Sequence, residues 1–526
     1  MAESEFKEPT AEAKSRLEDA RIQKRKIEED LREAYFFTAP LKEREMVSNA
    51  TGYQNNGNLS AQQGDLMSAL GIEVAQDFAS HILGTFMPPN FDWCRRGPGI
   101  YTRADDWAEV EDDAAEGDKE ILKAVRAASL DSVAYQTFYP DAACGTCAMW
   151  IDDDIPGANP VMRAVPAREL EINVGPLGEI DDRFWVQKHK QSRLKQVIGA
   201  DLYEKLPKKL KNQPSRKKDG TVEVVWGFWR SDDYAAVRWE HVIMVEKVVY
   251  HHERLEGLGS CPLIVGRFNP DAGCAWGTGP TISALPWLRL HDVQAEEAYD
   301  TADRAGSPPF AYPDDGVTNF EDGIEKGKAY PMAPGSGRDF VNLNFARPEG
   351  MQAQMFEGKE LEHLVRRMHF VDEPEQLGKT PVSAAEFVEE TVKKQKRIGP
   401  VGQKFWEELP VGIFQRFRFL LEARGIVEPL TPENGSGIVS TQAYNPAVKS
   451  QEMQEVQIAA RFMEMARALF PMESQAAIDG FQTLEEMQKK MAAELVKMRG
   501  AEEAKQLMAQ LVAGAAQGAA GGQEAA

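Results

Sequence analysis

The chain has 526 residues, 42% of them hydrophobic, a formal charge of −22 and 5 cysteines. It is too long for one core, so several subdomains are expected, and so few cysteines exclude a disulfide scaffold. The acidic balance argues against a tight, general duplex binder, because gripping DNA through its phosphates needs a basic surplus. Residues 9–37 read as a charged helix with a narrow apolar stripe at Leu17, Ala20, Ile27, Leu31 and Ala34. Asp65 to Met87 reads as a second amphipathic helix, ended by Pro88-Pro89. An acidic helical piece over Asp105 to Arg126 follows. Extended candidates come next at Ala148–Ile151, Leu170–Val174, Phe184–Gln187, Val222–Trp229 and Val242–Val245. Their aromatic and β-branched content, with turns at Pro176–Glu179 and Lys218–Gly220, predicts an antiparallel sheet.

A helix is expected to start behind Gly277-Thr-Gly-Pro280, with Leu285, Leu288, Ala295, Tyr299 and Ala302 forming one apolar seam. Gly306-Ser-Pro-Pro309 stops it. Phe310 to Gly350 is rich in Gly, Pro, Asp and Asn, and is expected to be a small insert with brief extended pieces. Met351 to Val371 is helical again, Asp372 to Pro381 is a loop, and Val382 to Arg424 resumes helix with kinks at Pro400 and Pro410. A Pro-, Asn-, Gly- and Ser-rich loop over Pro429–Val448 marks a boundary. Helices are expected over Gln451–Phe470 and Thr483–Val512, followed by a low-complexity tail at 513–526. No apolar run is long enough to cross a bilayer, and Met1-Ala-Glu-Ser-Glu lacks the pattern of a signal peptide, so the expectation is a protein that is not secreted.

Candidate chemistry is sparse. Cys144-Gly-Thr-Cys147 has the spacing of a redox pair or half a zinc site, but Cys261 and Cys274 are far apart and His251-His252 stands alone, so buried thiols are expected. Asp152-Asp-Asp154 could hold a divalent metal, yet it precedes Ile-Pro-Gly and does not match a calcium loop; a solvated turn is expected. Lys188 to Lys218 holds 11 basic residues against Asp201 and Glu204, with only Tyr203 interleaved, which suits an exposed face better than base stacking. Leu377-Gly-Lys-Thr380 mimics the end of a phosphate loop, but Glu373 stands where a glycine is required. No Gly-x-Ser-x-Gly elbow or His-Glu-x-x-His helix occurs, so no enzyme activity and no cofactor are expected.

The ordered set Pro262-Leu-Ile-Val-Gly-Arg-Phe268, Trp276-Gly-Thr-Gly-Pro280, Ala284-Leu-Pro286, Thr380-Pro-Val-Ser-Ala-Ala-Glu386 and Ile398-Gly-Pro-Val401, with Leu83 to Trp93 earlier, resembles the portal (head-to-tail connector) proteins of tailed bacteriophages, especially short-tailed ones. The resemblance covers roughly residues 10 to 430. It implies a mostly helical α+β subunit with wing, stem, clip and crown, assembling into a ring, usually a dodecamer, with a central channel. Residues 1–280 would be N-terminal helices and an α+β wing, 281–305 and 351–371 the stem helices, and 306–350 the clip. Residues 372–381 would be a tunnel loop, 382–425 a long kinked helix, 426–512 a helical crown and 513–526 a disordered tail.

On that resemblance, double-stranded DNA would be packaged through the ring by a separate terminase, retained, and ejected through the tail. An acidic lumen would let DNA slide without sticking. The tunnel-loop residues Glu373, Glu375, Gln376, Lys379 and Thr380, and the stem residues Asp292, Glu296, Asp300 and Asp303, would face the DNA. Asp314, Asp315, Glu321 and Asp322 in the clip would meet the terminase large subunit and then the tail adaptor. Major capsid and scaffolding proteins are further expected partners, with no membrane and no metal. The expected location is the portal vertex of the virion, and the host cytoplasm during assembly. A non-conducting oligomeric scaffold or head-tail adaptor is the alternative.

Overall fold

The computed structural model describes residues 7–40, 66–89, 92–99, 104–153, 160–208, 210–211, 221–231, 238–306, 310–311, 341–342, 348–372, 397–399, 401–430, 440–443, 456, 458–465, 483 and 487. The chain divides into two compact units, one of 1–84 and 116–431, the other of 85–115 and 432–526. In chain order the larger elements are α1 (Lys7–Arg25), α2 (Glu28–Thr38), α3 (Leu70–Phe86), β1 (Cys94–Gly97), α4 (Ala104–Ala127), α5 (Leu130–Phe138), β2 (Thr146–Asp152), β3 (Val161–Val165), β4 (Leu170–Val174) and β5 (Ile180–Lys190). Then come β6 (Thr221–Arg230), β7 (Arg238–Val245), β8 (Val248–Glu256), β9 (Leu263–Arg267), α6 (Pro280–Gly306), β10 (Phe310–Ala311), β11 (Val341–Asn342), α7 (Pro348–Met368), α8 (Pro410–Ala423) and β12 (Ser440–Ala443). This is an α+β fold with antiparallel sheets. No helix among the described residues is long and apolar enough to cross a membrane.

The first unit is built on two sheets. Strands β4 to β8 pair in sequence order as a five-stranded meander, and β3-β2-β9 form a three-stranded sheet. All five extended candidates lie within strands, because each carries the β-branched and aromatic residues a pleated surface buries. The single helix expected over 9–37 is instead two, broken at Lys26-Ile27. Packing explains the break. Ala13, Leu17 and Ala20 of α1 cover one face of the meander through Phe184, Val225, Trp229 and Val242. Leu31, Ala34 and Tyr35 of α2 join a different core around Trp150, Trp276 and Leu285, and one straight helix cannot serve both. At the break the buried Lys24 amine donates to the Arg168 and Leu170 carbonyls at 2.8 and 2.9 Å, and pairs with Glu171.

Trp150 of β2 joins the two sheets. Its ring lies 5.3 Å from Trp185, 5.4 Å from Trp226 and 5.7 Å from Phe228. Helix α8 and the helical turns before it are held to the strand ends by buried cations. Arg416 donates to the carbonyls of Ile151 (3.0 Å) and Ser260 (2.7 Å) and to Asp152 Oδ1 (3.1 Å). Arg267 of β9, 2% exposed, pairs with Glu408 and donates to the Gly178 carbonyl at 3.0 Å. The kink expected at Pro410 in the helix over 382–424 is present as a turn at Leu409 that separates a helical segment at 401–408 from α8; Pro400, where the other kink is expected, and the first part, 382–396, lie outside the described residues.

In the second unit β1 pairs antiparallel with β12, from Cys94↔Ala443 to Gly97↔Ser440. β12 falls inside the stretch expected to be a boundary loop. Arg96 of β1 is buried and donates to the Ala114 carbonyl at 3.0 Å. Residues 458–465 are helical and leave Ile458, Phe462 and Met465 exposed.

Candidate functional site

The candidate site is the pair of helices α6 and α7, together with the joint that fixes them to the first unit. The joint is made by glycine. A Cβ on Gly279 would sit closer than 3.0 Å to the main chain of Ala143, Cys144 and Gly145, and one on Gly277 would strike the carbonyls of Gly145 and Phe268. Gly145 has φ +117, a backbone state that L side chains rarely adopt. The two segments interlock through Phe268 N–H to Gly145 O at 2.8 Å, Gly279 N–H to Cys144 O at 3.3 Å, and Gly277 N–H to the Thr146 hydroxyl at 2.9 Å.

Two sequence motifs therefore find their purpose in each other. Gly277-Thr-Gly-Pro280 launches α6 with Pro280 in its first turn, where a missing N–H costs nothing. Cys144-Gly-Thr-Cys147 supplies the other half of the clasp. Both of its thiols are buried and free, and burial pushes each well above the ordinary thiol range, with the Asp141 carboxylate adding to the effect. Thiols held protonated in this way are poor nucleophiles and poor metal ligands.

Beyond the clasp, α6 is pinned by its first turns. Thr281 and Ala284 are fully buried, and Leu285 and Leu288 are 4% and 3% exposed. Thr281 Oγ1 lies 3.0 Å from Nε2 of the buried His369, just past α7, and His369 Nδ1 lies 2.9 Å from the Val365 carbonyl. A carbonyl only accepts, so Nδ1 carries the proton and Nε2 accepts from the threonine hydroxyl. Burial pushes His369 down to about 4, which keeps the ring neutral near pH 7.

Charged pairs complete the anchorage. Arg289 of α6 pairs with Glu33 of α2 through both carboxylate oxygens, and Arg366 of α7 pairs with Glu73 at 2.8 Å and Glu362 at 3.1 Å. Asp292 is half-buried and accepts the main-chain N–H groups of Met67 (3.0 Å) and Ser68 (2.9 Å), ahead of α3. That carboxylate fixes a connection within its own chain.

Glu296, Asp300 and Asp303 are exposed, in contrast. The apolar seam expected along the whole of α6 is buried only at Leu285 and Leu288; Ala295 is half-buried, Ala302 is exposed and Tyr299 is 69% exposed. Helix α7 lies alongside, with Gln294 and Glu357 3.4 Å apart between the two. The expected tunnel-loop residues Glu373, Glu375, Gln376, Lys379 and Thr380, and the clip residues Asp314, Asp315, Glu321 and Asp322, lie outside the described residues.

Asp154 lies outside the described residues, and Asp152 and Asp153 are half-buried. They receive Arg416 and Arg424, so they belong to the attachment of α8. Residues that the sequence did not single out include His369 and Asp141. Asp141 accepts from the Tyr35 hydroxyl and from the Ala167 N–H at 3.1 Å, tying α2 to the segment that carries the clasp. Neither residue sits in a recognisable spacing; both act through partners distant in the chain.

Residues 10–503 match the family model described as bacteriophage head to tail connecting protein, and the chain belongs to that family. Its fold is also similar to two solved structures. One is described as the virion of a native gene transfer agent particle, with 10% identity, a TM-score of 0.37, and coverage of 82% of this chain and 96% of the other. The second, the neck of an empty gene transfer agent particle computed with C6 symmetry, has 11% identity, a TM-score of 0.34, and coverage of 84% and 97%. No curated protein sequence matches the chain.

Proposed function

We propose that this protein is the portal subunit of a phage particle, assembling into a ring at one capsid vertex. Double-stranded DNA enters through the ring, is retained, and leaves toward the tail. The observation that carries the reading is family membership over residues 10–503, since a head-to-tail connecting protein occupies the place through which the genome must pass. The helix pair α6–α7 suits the wall of such a passage. It is held firmly at one end and presents Glu296, Asp300 and Asp303 at the other, where carboxylates would repel phosphate and keep DNA from adhering. Packaging would draw on a separate terminase for ATP hydrolysis, and the 306–350 segment between the helices would meet terminase first and a tail adaptor later. The loop at 372–381 would line the narrowest point.

End-on averages of the purified protein by negative-stain electron microscopy test this reading. Closed rings with a central hole at least as wide as a duplex are expected. Closed assemblies without a hole would replace it with a non-conducting head-tail adaptor.

A further inference from the structure

The hairpin β7–β8 at the edge of the five-stranded sheet brings together three side chains that are separate in sequence. Register pairs His241 with Glu253 and Ile243 with His251, so His241, His251 and Glu253 share one face. Each offers one donor atom, and these atoms all lie within 4.8 Å of one another. We propose that this trio is a binding site for a divalent transition metal of the zinc type.

Three observations support the assignment. The first is donor chemistry, since two imidazoles and one carboxylate suit zinc, cobalt or nickel, whereas magnesium and calcium prefer oxygen alone. The second is spacing. Bonds of roughly 2.0 to 2.2 Å place neighbouring donors of a tetrahedral ion about 3.3 Å apart, and His251 Nε2 already lies 3.3 Å from Glu253 Oε2. Rotation of the half-buried His251 and the exposed Glu253 would have to close the remaining gap to His241.

The third observation is His241 itself. Its ring stacks on Phe228 with centroids 4.5 Å apart and planes 5° from parallel, and its Nε2 is buried with no hydrogen-bond partner. A buried nitrogen without a partner is costly, and a metal ion would satisfy it.

The neighbouring charges lie on the opposite face and are already engaged. Glu240 accepts from Arg254 at 2.9 Å and lies 2.6 Å from His252 Nε2. With three protein donors, the fourth position falls to water.

The test uses the full-length protein, stripped with a chelator and titrated with Zn2+ or Co2+ alone, with Mg2+ as the contrasting ion. About one Zn2+ per chain is expected to survive dialysis, and Co2+ should give a tetrahedral visible spectrum. His251→Gln and Glu253→Gln replace a half-buried and an exposed side chain with polar ones of similar length, so both variants should keep the wild-type circular dichroism. Each should weaken Zn2+ by about tenfold or more, while His252→Gln should leave binding unchanged. Absence of stoichiometric Zn2+ in the wild type would overturn the proposal. So would undiminished binding in His251→Gln and Glu253→Gln, or loss of binding in His252→Gln, which would mark an adventitious histidine pair.

Discussion

The two ends of α6 obey different physics. At its start, Thr281, Ala284, Leu285 and Leu288 are sunk into the core, and the preceding glycines leave no room for even a methyl group. Toward its end Glu296, Asp300 and Asp303 are exposed and Tyr299 keeps 69% of its surface. The same i, i+3 and i+4 spacing runs through both halves, so periodicity alone does not say where burial stops. Only the surrounding chain decides that. The first half is a fixture and the second a surface, and substitutions should separate them.

The largest effect is expected at the clasp. Gly279→Ala should destabilise the first unit by about 3 kcal/mol or more, because its methyl group meets main chain that cannot yield. Urea unfolding followed by circular dichroism reads this as a lower midpoint, and an unchanged midpoint would mean that the clasp opens freely.

Acid should act next, through His369. Its folded value of about 4 lies below the unfolded value near 6.5, so its contribution is complete above pH 6.5 and is lost as pH falls. Between about pH 6.5 and 4 this residue alone should remove stability at up to about 1.4 kcal/mol per pH unit, the limit for one proton. Urea midpoints across that range should flatten in a His369→Phe variant.

Thr281→Val keeps the shape of the side chain but leaves His369 Nε2 buried without its partner, at a cost of about 1 to 3 kcal/mol. A double-mutant cycle with His369→Phe should show that the two losses do not add.

The smallest effect on stability belongs to the far end. Combined Glu296→Lys, Asp300→Lys and Asp303→Lys substitutions should move the unfolding midpoint by the equivalent of about 0.5 kcal/mol or less. The same triple change should reduce DNA packaging in particles, if these carboxylates face the passage. Undiminished packaging would remove them from the channel wall.

Much of this architecture was readable beforehand, for reasons that differ by element. Leu170–Val174 and Phe184–Gln187 announced themselves through β-branched and aromatic residues beside a Pro-Leu-Gly-Glu turn. Leu263–Arg267 did not read as a strand, because all five residues are buried and a run buried on both faces has no alternation to detect. Val248–Glu256 was hidden by its polar middle, His-His-Glu-Arg, which suits a sheet edge. The turn before it is formed by Glu246 and Lys247, both at positive φ and neither an expected turn residue. That missed hairpin also concealed the meeting of His241 with His251 and Glu253, which depends on register. Ser440–Ala443 looked like loop because its partner, Cys94–Gly97, is far away in the chain. Within the candidate site the glycines were visible as a motif, while their role required knowing which backbone lay against them.

The clasp also sets how force would travel. Side-chain contacts give way by changing rotamer, a soft response, whereas Gly145, Gly277 and Gly279 place main chain directly on main chain. A load applied to α6 would reach the three-stranded sheet through the hydrogen bonds at Cys144, Gly145 and Thr146, with no flexible stem to absorb it. Helix and sheet would then shift together as one stiff lever, and compliance would fall to the segments on either side of that joint.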